Sequence, residues 1–360
     1  MRFPEFSGEW KRVELKDVAE FQKSRIPADS LDASCYISTE NLIPNFGGIK
    51  EASSIPTDGN VMAIKPNDIL ISNIRPYLKK VWQSDRFGGC SADVFVLRTT
   101  RCQSDFLYNI IASDKFINYA MSGAKGVKMP RGDKRQMEEF EFSIPAIEEQ
   151  NRISRLLSLL DERIATQNKI IEDLKKLKSA ISERLFKSVK GFTVLLSDLC
   201  DIVKGKQING ENLSDSGNYY VMNGGTEPSG YYDNYNVEAS TISISEGGNS
   251  CGYVQFNTSP FWSGGHCYSI QNIADKVDNM YLYHYLKSNE DAIMKLRIGS
   301  GLPNIQKKDL AMFKIIVPKI EWQIKISTFL SSLERKAEIE ERIQNVMQKQ
   351  KLYLLQQMFI

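Results

Sequence analysis

The chain has 360 residues and a mass of 40.9 kDa, room for two to three domains with sizeable cores. Apolar residues make up 42% and charged residues 25%, which excludes a disordered chain, a collagen-like chain and a small disulfide scaffold. Lys+Arg at 46 against Asp+Glu at 44 leaves a net charge of +2; this excludes a strongly basic nucleic-acid coat protein but not a DNA binder with locally placed charge.

From the N-terminus, residues 1–10 carry Glu5 and Glu9 and lack the apolar core of a secretory signal. No run of eighteen apolar residues occurs, so no membrane span is expected. The six cysteines (35, 90, 102, 200, 251 and 267) form no CxxC pair, and only two histidines are present. Scattered thiols in such a chain imply reduced residues and a cytoplasmic setting, with no zinc cluster. His266 beside Cys267 is expected to be a satisfied core position.

The first 147 residues show short β-type runs at Asp68–Asn73 and Val94–Leu97, turns at Gly47-Gly48 and Gly88-Gly89, and a helical stretch over Phe106–Ala120. Ile144-Pro145 then resists helix. After Glu148 no proline or glycine appears until Gly191. Within that stretch Ile153, Leu157, Leu160, Ile164, Gln167, Ile171, Leu174, Lys178, Ile181 and Leu185 alternate by four and three, a heptad seam with two polar interruptions. Residues 191–320 return to β-type runs at Thr241–Ser245, Tyr253–Phe256 and Cys267–Ile270. A helical stretch follows over Met280–Arg297, with Tyr281, Tyr285 and Ile293 on one face. Val317-Pro318 opens a second breaker-free stretch carrying Ile326, Leu330, Leu333 and Ala337 in register. Beyond these Glu340, Gln344 and Lys351 occupy the register, so the seam is expected to drift onto Ile343 and Val346. Each helix would be roughly 60 Å long at ~1.5 Å per residue and needs a partner, for which the other copy is the nearest candidate.

The two stretches are copies. Shifted by 173 positions, residues 126–187 align with 299–360 without a gap, and seventeen of 62 positions are identical. Gly126, Pro130 and Lys134 match Gly299, Pro303 and Lys307; Glu148-x-Gln150 matches Glu321-x-Gln323; Phe186 matches Phe359. Upstream the correspondence is looser: residues 13–23 resemble 194–204 at an offset of 181, and residues 68–72 resemble 241–245 at 173. The expected architecture is therefore mixed α/β: two pseudo-repeated globular domains, 1–147 and 191–320, separated by two long shared helices, 148–190 and 321–360, that form an antiparallel coiled coil.

Catalytic signatures are missing. There is no Walker A loop, no GxGxxG after a strand, no GxSxG elbow, no HExxH and no Asn/Asp-Pro-Pro-aromatic tetrapeptide. Gly247–Gly252 reads as a tight turn, not a phosphate cradle. Basic, aromatic and amide residues do cluster. Arg75, Tyr77, Lys79 and Lys80 follow a strand, and Lys125, Lys128, Arg131, Lys134 and Arg135 crowd eleven residues. Lys204, Lys206, Gln207, Asn223, Tyr231, Tyr232, Lys307 and Lys308 lie in the second globule. Lys and Arg neutralise phosphates, while Arg, Asn and Gln read base edges. Against this, residues 191–320 carry a net charge of −3, where the three other segments are positive, and solvated surface is the bland alternative.

Taken in order, these motifs resemble the specificity (S) subunit of type I restriction-modification systems. The first copy shows Tyr36-Ile-Ser-Thr-Glu-Asn-Leu42, Asp68-Ile-Leu-Ile-Ser-Asn-Ile-Arg-Pro-Tyr-Leu-Lys79, Gly126-Val-Lys-Met-Pro-Arg-Gly-Asp-Lys134 and Ile144-Pro-x-Ile-Glu-Glu-Gln150. The second shows Asn223-Gly-Gly-Thr-Glu-Pro-Ser-Gly-Tyr-Tyr232, Thr241-Ile-Ser-Ile-Ser-Glu-Gly-Gly248 and Val317-Pro-x-Ile-Glu-x-Gln323. It departs in having Phe192 at the position of Trp10, and Leu302-Pro-Asn-Ile305 for Met129-Pro-Arg-Gly132. The resemblance implies a non-catalytic chain whose two globules are target-recognition domains, each for one half of a bipartite, asymmetric double-stranded DNA site. It implies helices that space the domains and dock two modification (methyltransferase) subunits. It also implies S-adenosylmethionine, ATP and Mg held not here but in the modification and restriction subunits, and no membrane partner. A coiled-coil scaffold without DNA binding and a silent, phase-variable specificity cassette stand as the alternatives.

Overall fold

The computed structural model describes residues 2–299, 301 and 303–358. Leu302 and Phe359, both named in the repeat, lie outside the described residues. The chain forms two compact units. One holds residues up to Gln167 together with those from Ile343 onward; the other is Asn168–Arg342. Each long helix contributes residues to both units.

The first long helix runs Ile147–Ser188 (42 residues) and the second Ile320–Met358 (39 residues). In the first, every seam position from Ile153 to Leu185 is buried or half-buried. In unit one Ile153 and Leu157 join a core that also takes Met358, and Lys351 of the second helix pairs with Asp161 of the first. In unit two Ile181, Leu185 and Phe186 pack with Ile326 and Leu330, and Lys178 and Lys175 pair with Glu334 and Glu341. Rising numbers on one helix meet falling numbers on the other in both units, so the pair is antiparallel.

The expected drift of the second seam does not occur. Ile343 and Val346 are exposed (39% and 54%), while Glu340, Gln344, Met347, Lys351 and Met358 keep the original register and are buried or half-buried. Long polar side chains lay their methylene stems along the seam and carry their heads to ion pairs such as Lys351–Asp161. This holds the heptad period where the residue type alone argued for a shift.

Each unit has the same antiparallel four-stranded sheet. In unit one the order across the sheet is Ala19–Phe21, Val94–Thr99, Ile69–Ser72, Val81–Gln83. In unit two it is Asp201–Lys204, Cys267–Gln271, Thr241–Ser245, Val254–Asn257. Central Ile69, Leu70 and Ile71, like Ile242 and Ile244, are fully buried, as expected of strands covered on both faces. A two-stranded ribbon closes each unit at the start of its long helix: Lys11–Glu14 with Glu141–Ile144, and Phe192–Leu195 with Lys314–Val317. Asp17 and its repeat partner Asp198 both accept a backbone N–H three residues earlier, at the turn that leaves the ribbon.

The helical stretches are shorter than expected. Phe106–Ala120 is broken into Ser104–Ile111 and Asp114–Ser122, because Ser113 caps the second piece by accepting from Phe116 N–H. Met280–Arg297 is Asn279–Ser288 followed by Glu290–Met294, with Tyr281, Tyr285 and Ile293 buried as one face.

Candidate nucleic-acid interface

In unit one the chain leaves strand Ile69–Ser72 at Asn73 and meets the loop that precedes helix Lys134–Glu138. Ile74 and Lys125 both bridge to Arg131. Arg75 N–H donates to Pro130 C=O (2.8 Å), Gly132 N–H to Asn73 C=O (3.1 Å), and Asn73 N–H to Asp93 C=O (2.8 Å). Three loops are thereby locked into one backbone frame.

Unit two builds the same frame at a constant offset of 173. Gly247 and Ile298 bridge to Asn304. Gly248 N–H donates to Pro303 C=O (3.0 Å), Ile305 N–H to Glu246 C=O (2.8 Å), and Glu246 N–H to His266 C=O (2.9 Å). Even the dihedrals repeat: Gly126 and Gly299 have φ of 95° and 96°. Arg75 and Lys79 (φ 51° and 55°) occupy left-handed positions where unit two has Gly248 and Gly252 (φ 75° and 91°). A left-handed residue with a Cβ costs roughly 1–2 kcal/mol, so unit one keeps two basic side chains at positions that glycine would fill without strain.

The predicted residues divide into those presented at the surface and those used internally. Arg75, Tyr77 and Lys128 are exposed at the frame, with Val127 and Met129 beside Lys128. Arg131 is half exposed, and its Nη1 donates to Asp93 Oδ1 at 2.8 Å. Arg135 is exposed just past Asp133, whose carboxyl is held below its usual range by the hydrogen bond from Lys125. Lys79 pairs with Asp114. Lys80 donates to Thr39 C=O at 2.6 Å, and burial, with Lys50 nearby, lowers its pKa. Lys134 stands 4.7 Å over the Phe95 ring and 5.5 Å over Phe21, a cation–π position inside the unit.

In unit two Lys206 and Gln207 are exposed beside the frame. Lys206 C=O is held by Trp262 Nε1–H at 3.0 Å. A Cβ at Gly265 would fall 2.3 Å from Gln207 Oε1, so the glycine leaves room for the Gln207 amide in this position. Lys204 donates to Glu246 Oε1 at 2.6 Å, and Asn223 Oδ1 accepts from His266 N–H at 3.1 Å, so both touch frame residues. Tyr231 and Tyr232 are half-buried on a small separate sheet, Tyr232 edge-on to Trp262. Lys307 and Lys308 are exposed at the start of helix Lys307–Ala311.

His266 corrects an expectation. Its side chain is 62% exposed, while Cys267 is buried, which pushes that thiol up to about 11. His266 lies in the turn that precedes strand Cys267–Gln271, whereas Cys267 is the first residue of that buried strand. Sequence reasoning missed Asn73, Asp93, Glu246, His266 and Asn304 as frame residues. The offset of 173, carried past the helices into the loops, is the signal that pairs them as 73/246, 93/266 and 131/304. Two of the buried oxygens that accept no hydrogen bond among the described residues sit at one repeat position: Asn73 Oδ1 and Glu246 Oε2. Among the described residues no group of three or more His, Cys, Asp or Glu is placed to hold a metal, and no helix is long and apolar enough to cross a membrane.

The family model described as the type I restriction modification DNA specificity domain matches residues 7–176 and again 191–349. A Methanocaldococcus jannaschii protein, the type I restriction enzyme MjaVIII specificity subunit, is 24% identical across 98% of this chain and 91% of its own length. A relative from Mycoplasma genitalium is 34% identical over 122 residues, 33% of this chain; the match spans only 31% of that protein. The crystal structure of a type I restriction-modification S subunit from M. genitalium shares the fold, with a TM-score of 0.70 at 18% identity over 98% of this chain and 96% of that one.

Proposed function

The chain belongs to the type I restriction modification DNA specificity family, and from that premise we propose how its parts divide the work. Each unit reads one half of a bipartite, asymmetric DNA site. The two long helices set the distance between half-sites and dock two methyltransferase subunits. The observation that carries this reading is the duplicated frame: its backbone hydrogen bonds repeat position for position while its side chains differ. Two readers of one build with different side chains are what an asymmetric site requires.

Arg75 tests the reading on the DNA side. Arg75→Gly copies the glycine of unit two. Relief of left-handed strain, roughly 1–2 kcal/mol, offsets the extra unfolded-state freedom of glycine, roughly 0.5–1 kcal/mol. Thermal stability is therefore expected to stay level, while the affinity of the assembled complex for DNA falls and its salt dependence becomes shallower by about one counterion. A melting point lowered by more than about 5 °C, with affinity unchanged, would make Arg75 structural.

The helices support docking through a second apolar stripe outside the seam. Leu159, Ile170 and Leu177 on the first helix, and Ile339, Ile343 and Val346 on the second, are 39–54% exposed. Ile170 and Ile343 are the same repeat position. Stripes at such spacing suit a partner helix on each copy. Ile170→Glu with Ile343→Glu is expected to abolish co-purification of the methyltransferase subunits and to lower thermal stability only modestly, because both side chains lie outside the buried seam. Retained co-purification would move the docking site elsewhere.

In this reading the chain is non-catalytic and works in the cytoplasm. The methyltransferase subunits hold S-adenosylmethionine and methylate adenine; restriction subunits hold ATP and Mg. A scaffold that binds no DNA would show no salt-dependent affinity even when assembled.

A further inference from the structure

We infer that the frame position on which both bridges converge sets one base in each half-site, Arg131 selecting guanine through unit one and Asn304 selecting adenine through unit two. This rests on the half-site reading above and adds the residues that carry it. Arg131 and Asn304 are the paired repeat positions on which two bridges of each frame converge, so both side chains start from equivalent backbone points. Both are exposed. Their chemistry differs in the way that discriminates bases. A guanidinium fork matches guanine O6 and N7, whereas a carboxamide matches adenine N6 and N7.

The neighbours within the frame act as positioning groups. Asp93 Oδ1 holds Arg131 Nη1 at 2.8 Å, which fixes the plane of the fork. At the matching place unit two has His266, whose Nδ1 lies 3.7 Å from Glu246 Oε2. The other Glu246 oxygen is occupied by Lys204 Nζ at 2.6 Å and Tyr268 OH at 3.0 Å. Asn73 Oδ1 and Glu246 Oε2, at one repeat position, are both buried without a hydrogen-bond donor among the described residues. Buried acceptors without a donor are rare, and their recurrence at one repeat position marks this part of the frame in both units as the place where the built structure leaves polar groups unsatisfied.

The test uses the full chain assembled with its methyltransferase subunits. Duplexes are selected from a random library and the bound fraction is sequenced, which reads base preference whether or not methylation survives. Arg131→Asn is expected to lower the preference for guanine at one position of one half-site at least tenfold, in favour of adenine. Asn304→Arg is expected to do the reverse at one position of the other half-site. Spacer and opposite half-site stay as in the unsubstituted protein. Arg131→Lys, which keeps the charge and loses the fork, is expected to keep binding and lose the guanine preference. Unchanged preferences in the Asn and Arg variants overturn the inference. So does a uniform loss of affinity for all sequences, the mark of a phosphate contact. An unsubstituted complex that selects no bipartite sequence would instead overturn the half-site reading itself.

Discussion

Gln323→Ala is expected to destabilise unit two by about 4 kcal/mol and to lower its melting point by roughly 10 °C. Gln323 is fully buried where the second long helix begins. Its Oε1 accepts Asp278 N–H at 2.9 Å, at the cap of helix Asn279–Ser288, and its Nε2 donates to Pro318 C=O at 2.8 Å and Lys276 C=O at 3.0 Å. Removing the amide leaves one donor and two acceptors unpaired, the Pro318 carbonyl buried and the Asp278 N–H and Lys276 carbonyl partly buried, and a buried unpaired group costs about 1–3 kcal/mol. Unit one has the same tie. Gln150 Oε1 accepts Gln103 N–H at 3.0 Å and Nε2 donates to Pro145 C=O at 2.9 Å. Gln150→Ala should therefore destabilise unit one by a similar amount. Differential scanning calorimetry checks both. A change below about 1 kcal/mol would mean that water replaces the amide and that this shared motif is not the tie between helix and sheet.

Deleting one heptad from each long helix is expected to shorten the spacer between half-sites by about 3 base pairs, with methylation at the original spacing lost and each half-site unchanged. Residues 164–170 and 342–348 suit this purpose. They lie between Asp161 and Lys178 on one helix and between Glu334 and Lys351 on the other, so the residues of the flanking ion pairs are retained. Seven residues span ~10.5 Å of helix. That is about 3 base pairs at ~3.4 Å each. The whole helix, at roughly 60 Å, sets an upper limit of roughly 18 base pairs. Methylation sequencing reads the outcome. An altered half-site with an unchanged spacer would show that the helices do not measure the distance.

The helices were the most legible part of the chain. Their period, their X-Pro starts and the absence of breakers all act locally, and the burial of Ile153 through Leu185 follows that period. Where residue type and period disagreed, at Ile343 and Val346, period prevailed because the partner helix presents a continuous seam. Strands Thr241–Ser245 and Cys267–Gln271 were visible as short β-type runs, the first alternating isoleucine with threonine and serine. The broken helices were not, since Ser113 and Asn289 interrupt helices through capping, which an apolar pattern does not encode. The loop frame was the least legible. Its hydrogen bonds are backbone to backbone, so Asn73, Asp93 and Arg131 share no side-chain chemistry with Glu246, His266 and Asn304 that a sequence comparison would catch. Of the predicted interface residues, Lys134 shows the same limit. Its charge suggested phosphate contact, and its place over Phe95 and Phe21 depends on a strand pairing distant in sequence.

The central claim is that this chain gives a methylating complex its two-part DNA specificity. Single-molecule methylation sequencing of the source genome, with and without this gene, tests it most directly. The account predicts that deletion removes one bipartite adenine-methylation motif with two unlike half-sites and a fixed spacer, and that restoring the gene restores it. A methylation profile unchanged by deletion while the chain is expressed would contradict it.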